Sequence, residues 1–361
     1  MNSSSSRILK TKIIEFAQSC GFDLIGFTDA QPFVRSFQVM EQRVKAGIYP
    51  QGLAESDLRL RTEPQRILPG AKTIISLAVS YATIEPPSPP EDSLQGVLSR
   101  YAWGQDYHHV LRPRLEKLAA FIENLGTYRC VFMSDTGPLS DRAAANRAGL
   151  GVFGWNSALI TPDYGSWVFL AEIITDLALP PDPPQEGTCR QCGRCHEACP
   201  TGAIEAPYRV NPFKCLSYLT QMKSPIPEKF RASMGRRLFG CDTCQAVCPH
   251  NRAALRGNHK EFEPGPAGPT PDLGAILTMS KKEFAAAYGQ TAASWRGRRV
   301  LQRNAAIVLG NTRLPQAVEP LAHALQDPKP QVQEAALWAL KQINTKAARS
   351  LIASYHERPE R

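Results

Sequence analysis

Eight of the ten cysteines of this 361-residue chain fall between Cys189 and Cys248, and their spacing constrains the fold more than any other feature. The first group reads Cys189-x2-Cys192-x2-Cys195-x3-Cys199-Pro200. The second reads Cys241-x2-Cys244-x3-Cys248-Pro249, with Cys215 between the groups. This is the iron–sulfur spacing of two-cluster ferredoxins. Its short gaps let neighbouring thiolates wrap three corners of one cubane, and the cysteine before proline ligates the other cluster. Cys189, Cys192, Cys195 and Cys248 are therefore expected to hold one [4Fe–4S] cluster, and Cys199, Cys241 and Cys244 three corners of a second. Leu238 stands where the pattern wants a cysteine. Cys215 is the spare thiol that fills the vacancy, so eight ligands serve two clusters.

Zinc would use two or four cysteines per site and would not need the Cys-Pro repeat. A disulfide framework suits small secreted domains, and the serine-rich residues 1–7 lack the apolar run of a signal peptide. No run of eighteen apolar residues predicts a membrane span. Reduced thiols and clusters point to the cytoplasm. Cys20 and Cys130 lie outside the cluster region, beside apolar runs, and are expected to be buried packing residues.

The net charge of +9 is compatible with a nucleic-acid partner or with a merely cationic soluble protein. Distribution favours the first. Residues 221–256 carry seven Lys/Arg (Lys223, Lys229, Arg231, Arg236, Arg237, Arg252, Arg256) against two acids, Glu228 and Asp242. A second knot is Arg296, Arg298, Arg299 and Arg303.

Apolar spacing predicts helices over residues 7–19, 110–125, 140–148 and 315–325, and strands over 23–27, 73–80, 129–134 and 166–174. Residues 41–68 read as mixed helix and loop, and the four prolines of residues 85–92 as an exposed loop. Mixed elements of this kind make residues 1–178 an α/β or α+β domain. Proline-rich residues 179–188 open a ferredoxin-like cluster domain over 179–262, and residues 263–272, rich in Pro and Gly, close it. The remainder, 273–361, repeats itself: residues 303–310 are echoed thirty positions later by 333–340, alanine-rich in both copies. Paired helices of this kind read as HEAT-like repeats.

Gly149-x-Gly151-x-x-Gly154 fits a dinucleotide fingerprint by letter but follows a helix rather than a strand, so these glycines are expected to allow close backbone approach instead. Asp135 lies just past a strand, where site residues are often presented and where an Asx-turn is the alternative. Asp106-Tyr107-His108-His109 offers an acid, a phenol and two imidazoles for acid–base or ligand roles, or simply satisfied structural histidines. Leu111 replaces the glycine of the corrinoid pattern Asp-x-His-x-x-Gly.

Taken together these stretches resemble the epoxyqueuosine reductases, cobalamin-dependent iron–sulfur enzymes of tRNA modification. The resemblance is carried by residues 100–108, Asp135-Thr136-Gly137-Pro138, Ala148-Gly149-Leu150-Gly151, residues 165–170, both cysteine groups and the repeat tail, nearly the whole chain. It implies a cobalamin-binding α+β domain, a ferredoxin-like domain with two [4Fe–4S] clusters and HEAT-like C-terminal repeats. It implies loss of the epoxide oxygen of epoxyqueuosine at the tRNA wobble position, with two electrons and two protons giving queuosine. Asp135 matches the family's proton donor, and Asp106 and His108 match polar residues of the pocket. Tyr101, Asp135, Asn156, Ser157, Leu159, Leu170, Met222 and Val247 match the corrin-binding region. The family usually has Gly-Lys-Asn where this chain has Gly154-Trp155-Asn156, so that lysine's role does not carry over. A tRNA surface is expected at Lys229, Arg231, Arg296, Arg298 and Arg299. The remaining expectations are an external low-potential electron donor, no membrane and a monomer. The alternatives are a small-molecule corrinoid reductase related to dehalogenases and a plain electron carrier; the basic surface stands against the first and the large N-terminal domain against the second.

Overall fold

The computed structural model describes residues 3–50, 54–84 and 86–357. Residues 1–2 of the serine-rich segment, 51–53 within the expected helix-and-loop stretch, and Glu85 at the head of the proline loop lie outside the described residues, as do 358–361.

The N-terminal half is built on one antiparallel sheet. Helix α1 (Ser3–Ser19) starts four residues before the apolar spacing begins, because serines continue its exposed face. It stops at Gly21, whose φ of +87° favours glycine. Strands β1 (Leu24–Asp29) and β2 (Thr73–Ser80) follow, then helix α2 (Tyr107–Asn124), strand β3 (Cys130–Met133), helix α3 (Asp141–Arg147) and strand β4 (Val168–Thr175). The strand order is β1-β2-β4-β3, with every pairing antiparallel. All eight residues of β2 are buried, because helices cover both faces of the sheet centre. On one face Ile75, Leu77 and Val79 meet Ile13 and Ala17 of α1 and Leu111, Leu115 and Leu118 of α2. On the other, Ile74 and Ala78 pack under the alanines of α3. This explains why a continuous apolar run, rather than an alternating one, marks the central strand.

The C-terminal helices α4 (Arg298–Thr312), α5 (Val318–Ala324), α6 (Pro330–Ile343) and α7 (Lys346–His356) form the expected paired repeat. The echoed segments lie on α4 and α6 and face each other. Ala305, Ala306, Ala335, Ala336 and Ala339 are all buried, and a Cβ on Gly310 would come within 2.6 Å of the Ala339 Cα. Small residues let the two helices approach backbone to backbone. The predicted 315–325 helix opens with a 3-10 turn at Pro315–Ala317 before α5.

The core under these repeats reaches well beyond them. Leu98, Ala102 and Trp103 from the N-terminal half, and Leu216, Leu219, Leu238 and Phe239 from the cysteine-rich segment, share it. Val97–Leu98 pairs in parallel with Arg237–Phe239. Leu238 is fully buried there, which accounts for a leucine at the position where the ferredoxin pattern wants a ligand: the strand delivers that side chain to the core.

Two arginines expected on a basic surface are instead interior. Arg303 is 1% exposed and donates to the carbonyls of Met222 (2.7 Å) and Ser224 (2.5 Å) and to Asn304 Oδ1 (2.8 Å). Burial lowers its guanidinium pKa to about 10. Arg231 is 5% exposed, donates to Ile226 O at 2.9 Å and pairs with Glu334 at 2.5 Å. Both fasten the cysteine-rich segment to the repeats. Sequence cannot separate such bolts from surface charge, because a long cationic side chain reads the same in either place.

Candidate active site between the sheet and the cysteine clusters

The eight thiols fall into two sets. Cys189, Cys192, Cys195 and Cys248 line one hollow with Trp155, Asn156 and His250. Burial raises the Cys195 thiol, with Cys189 and Cys248 adding to the effect. Burial likewise raises Cys248, with Cys189 and Cys192 as its thiol neighbours. Cys215 is raised by burial and senses Cys241 and Cys199, while Cys244 is raised by burial and senses Cys215 and Cys241. These are the two quartets the spacing predicts. Cys199 goes the other way: burial opposes it, but backbone N–H groups outweigh burial, Ala203 N donating to its sulfur at 3.2 Å. Such donors favour thiolate, the form that ligates metal. Among the described residues no three His, Cys, Asp or Glu side chains gather as they do around a single ion; a four-iron cluster instead holds its thiolates apart around a core. Cys20 and Cys130, expected to be buried, are half-buried, and burial raises both thiols.

The glycine-rich turn after α3 brings the sheet domain to both sets. At Gly149 φ is +80°, and an added Cβ would lie 2.4 Å from Pro183 O; at Gly151 it would lie 2.3 Å from Ile160 O. Close backbone approach is thus their role, as the misplaced fingerprint suggests. The turn leads into the Val152–Phe153/Leu159–Ile160 hairpin. At the hairpin tip, Trp155 N donates to Cys189 Sγ at 3.4 Å, and the Asn156 side chain hydrogen-bonds Cys244. One loop therefore touches both quartets.

Tyr101 ties the second quartet to the sheet. The preceding Arg100 N donates to Asp242 Oδ2 at 2.6 Å, beside Cys241, and Ser99 bonds the same carboxylate. The Tyr101 ring edge is 2.8 Å from where a Cβ on Gly240 would sit, so residue 240 must be glycine. Burial first, then Asp242 and Asp135, hold the Tyr101 hydroxyl protonated far above its ordinary range, and Cys215 contributes too.

Asp135 sits at the end of β3 with φ +50°, a left-handed conformation that Asp tolerates better than most residues. Its Oδ2 accepts from the Tyr107 hydroxyl at 2.7 Å and lies 3.9 Å from His108 Nε2. Asp106 caps α2, accepting from His108 N at 3.0 Å, and its Oδ1 also meets His108 Nδ1 at 2.8 Å. Burial alone would lower His108, but the hydrogen bond and charge of Asp106, with Asp135 beyond, outweigh it and raise the imidazole pKa. Burial likewise opposes ionisation of Asp106, yet its bonds to His108 hold it below the usual carboxylate range. His109 is exposed and Leu111 is fully buried in the sheet core. Tyr107 had no assigned role. Its signal was its place in the Asp-Tyr-His-His quartet, and only the stacking of its ring on Phe169 (4.3 Å) reveals how it is aimed at Asp135.

A family model described as epoxyqueuosine reductase QueG, DUF1730, matches residues 61–136, one for a 4Fe-4S double cluster binding domain matches 188–251, and one for HEAT repeats matches 296–361. An epoxyqueuosine reductase of Bacillus cereus is 42% identical over 339 residues, covering 93% of this chain and 89% of that protein. That of Escherichia coli is 33% identical over 92% of this chain and 89% of its own length. The chain belongs to the epoxyqueuosine reductase family. A crystal structure of an epoxyqueuosine reductase with an epoxyqueuosine-modified tRNA stem loop superimposes with a TM-score of 0.94 at 38% identity, covering 99% of this chain and 96% of that one. Like its family, the chain carries a double [4Fe–4S] domain and HEAT repeats. No helix among the described residues is long and apolar enough to cross a membrane.

Of the residues matched to the family's corrin region, Tyr101 and Ser157 fit a bound group directly: the Tyr101 hydroxyl and Ser157 Oγ are buried without a hydrogen-bond partner. Ser157 holds φ at +63° beside Asn156, whose Oδ1 accepts from Ala158 N. Leu159 and Leu170 turn their side chains into a small core with Ala145 and Leu150, so what they offer the site is main chain. Met222 packs on the repeat core, and Val247 precedes Cys248 of the first quartet.

The expected tRNA surface is narrower than its sequence suggested. Arg231 is buried, as described. Arg299 pairs with Asp327, and Arg298 donates to Met279 O. Lys229 is exposed, and Arg296 stacks on exposed Trp295.

A buried carboxylic acid without any sequence motif lies in the sheet. Glu172, 1% exposed in the middle of β4, stands opposite Ser76 of β2 and Met133 of β3. Burial, with Asp141 and Asp135 adding negative charge, raises its pKa well above the ordinary value. The folded chain keeps this proton after the unfolded chain has released its own near pH ~4.3. Stability is therefore lost as pH rises from that value towards the raised folded one, at up to about 1.4 kcal/mol per pH unit. Glu172→Gln should melt like wild type near pH ~4 and higher than wild type at neutral pH. Parallel melting curves at both pH values would show instead that Glu172 is ionised in the fold.

Proposed function

We propose that this chain reduces epoxyqueuosine to queuosine at the wobble position of tRNA, using a corrin held between the sheet domain and the second quartet. Overall the epoxide oxygen leaves as water, a carbon–carbon double bond forms, and two electrons and two protons are consumed. When bound, the corrin supplies reduced cobalt, a nucleophile and reductant strong enough to open an epoxide, and the two clusters refill it with electrons.

The chain's own residues do the rest. Tyr101 and Ser157 offer hydroxyls to the corrin, with the backbone at Asn156, Leu159 and Leu170 lining it and Met222 and Val247 at its cluster side. Asp135 gives a proton to the departing oxygen. Tyr107 holds its carboxyl in place by the 2.7 Å bond, and His108, whose pKa Asp106 raises against the lowering effect of burial, stands 3.9 Å away to restore the proton. The observation that carries the reading is the Tyr101 hydroxyl, buried without a hydrogen-bond partner next to Arg100, whose N–H is tied to Asp242 beside Cys241. Phosphates of the tRNA would be gripped by Lys229 and Arg296, with the reacting base splayed out of its loop. We also propose an external low-potential electron donor, a monomeric state and a cytoplasmic location.

The test is the reaction. Anaerobic protein reconstituted with iron, sulfide and cobalamin, then given a strong reductant and tRNA bearing epoxyqueuosine, should yield queuosine by mass spectrometry of the digested RNA. Absence of product from fully loaded protein would overturn the reading and favour a small-molecule substrate.

A further inference from the structure

Trp295 is 49% exposed, yet its ring is fixed in place. Its Nε1–H donates to Gln221 Oε1 at 3.0 Å, and Gln221 in turn donates to Ser217 O at 2.7 Å. The Arg296 guanidinium lies 3.5 Å from the indole centroid. Arg296 Nε is buried without a hydrogen-bond partner. Tyr218 follows Ser217, the residue that Gln221 bonds, and meets Phe213 edge to face at 5.5 Å. Phe213 is itself 39% exposed. A row of ring, ring, cation and ring thus runs from beside Cys215, a ligand of the second quartet, to the first HEAT helix.

Two features give this row a ligand chemistry. The two segments that carry it hold no acid of their own: neither residues 212–223 nor residues 289–303 contain Asp or Glu, Lys223 is exposed, and the carboxylates that reach these segments from elsewhere, Glu205 and Asp327, pair with Lys214 and Arg299. Exposed aromatic faces alternating with cations suit unpaired nucleotides, because every base has a π face to stack and every phosphate a charge to meet. A paired stem hides its bases and cannot use such a row.

We propose that Trp295 and Arg296, continued by Tyr218 and Phe213, form a stacking platform for the unpaired tRNA nucleotides next to the one whose base is reduced. This rests on the tRNA reading above and adds what holds the loop open while one base is withdrawn. Trp295 and Arg296 are binding residues here and take no part in the proton chemistry at Asp135.

The experiment measures affinity rather than turnover. Cluster-loaded protein is titrated into a fluorescent, unmodified anticodon stem-loop of tRNA and, separately, into its base-paired stem alone, over a series of salt concentrations. Trp295→Ala should weaken stem-loop binding by about 5- to 150-fold, the loss of one base–aromatic stack, with the salt slope unchanged and stem binding unaltered. Trp295→Phe should restore most of the affinity. Arg296→Ala should weaken binding and also flatten the salt slope by about one phosphate contact. Wild-type affinity in Trp295→Ala, or equal losses on stem-loop and stem, would overturn the platform. Failure of the wild-type protein to bind the stem-loop would instead remove the tRNA reading on which it rests.

Discussion

Asp135→Asn is expected to lower turnover by about 10²–10⁴, the usual contribution of a positioned general acid, while iron content, corrin binding and tRNA affinity stay as in the wild type. The substitution isolates the proton. Asp135 holds φ at +50°, and asparagine tolerates that left-handed region as well as aspartate does, so the loop needs no rearrangement. The amide oxygen can still accept from Tyr107, whose hydroxyl now sits 2.7 Å from Oδ2. What is lost is the acid itself. In the wild type the reserve proton on His108 should be present at low pH and lost as pH rises through the imidazole's raised pKa, which Asp106 sets against the lowering effect of burial. Turnover limited by that reserve should therefore decline on the alkaline side, and His108→Gln should remove this limb without emptying the site. Full activity in loaded Asp135→Asn would take the residue out of the mechanism.

Cys215→Ser is expected to destroy one cluster and spare the other. Two four-iron clusters bring about eight irons per chain; the variant should fall towards about four and lose electron delivery to substrate altogether. The geometry makes the loss selective. Cys215 is grouped with Cys199, Cys241 and Cys244, whereas Cys189, Cys192, Cys195 and Cys248 line a separate hollow with Trp155. Backbone N–H groups of Ser217 and Tyr218 point at the Cys215 sulfur and favour its thiolate, and a serine hydroxyl at that place is a far weaker ligand for iron. Iron and sulfide analysis with low-temperature electron paramagnetic resonance would read the outcome. Eight irons retained in Cys215→Ser would mean that another group closes the second cluster.

Much of this molecule can be read from the chain alone, and the reasons are local. Metal ligation fixes cysteine spacing within a few residues, so the double-cluster domain was legible. The sheet strands and long helices were legible because burial imposes a period on sequence. The central strand β2 matched the prediction end to end, since a uniformly apolar run leaves no ambiguity about its limits. The thirty-residue echo announced the repeat because two helices in backbone contact must both be lined with small side chains.

Tertiary structure alone decided the rest, wherever the meaning of a residue depends on partners distant in the chain. Arg231 and Arg303 look like surface charge until their carbonyl and carboxylate partners, some eighty to a hundred residues away, are seen to bury them. Leu238 is an irregularity in a ligand pattern until its strand is paired with Val97–Leu98 and its side chain enters a core shared with the repeats. Tyr107 stands in a legible Asp-Tyr-His-His group and Glu172 in none, yet the place of each is set in three dimensions: one is aimed by a ring stack and the other is isolated by a sheet. Ligand spacing and hydrophobic period are short-range consequences of covalent geometry, which sequence records directly. The bond from Tyr107 to Asp135 and the tie from Arg100 to Asp242 beside Cys241 depend on packing between segments far apart in the chain, which only the folded structure specifies.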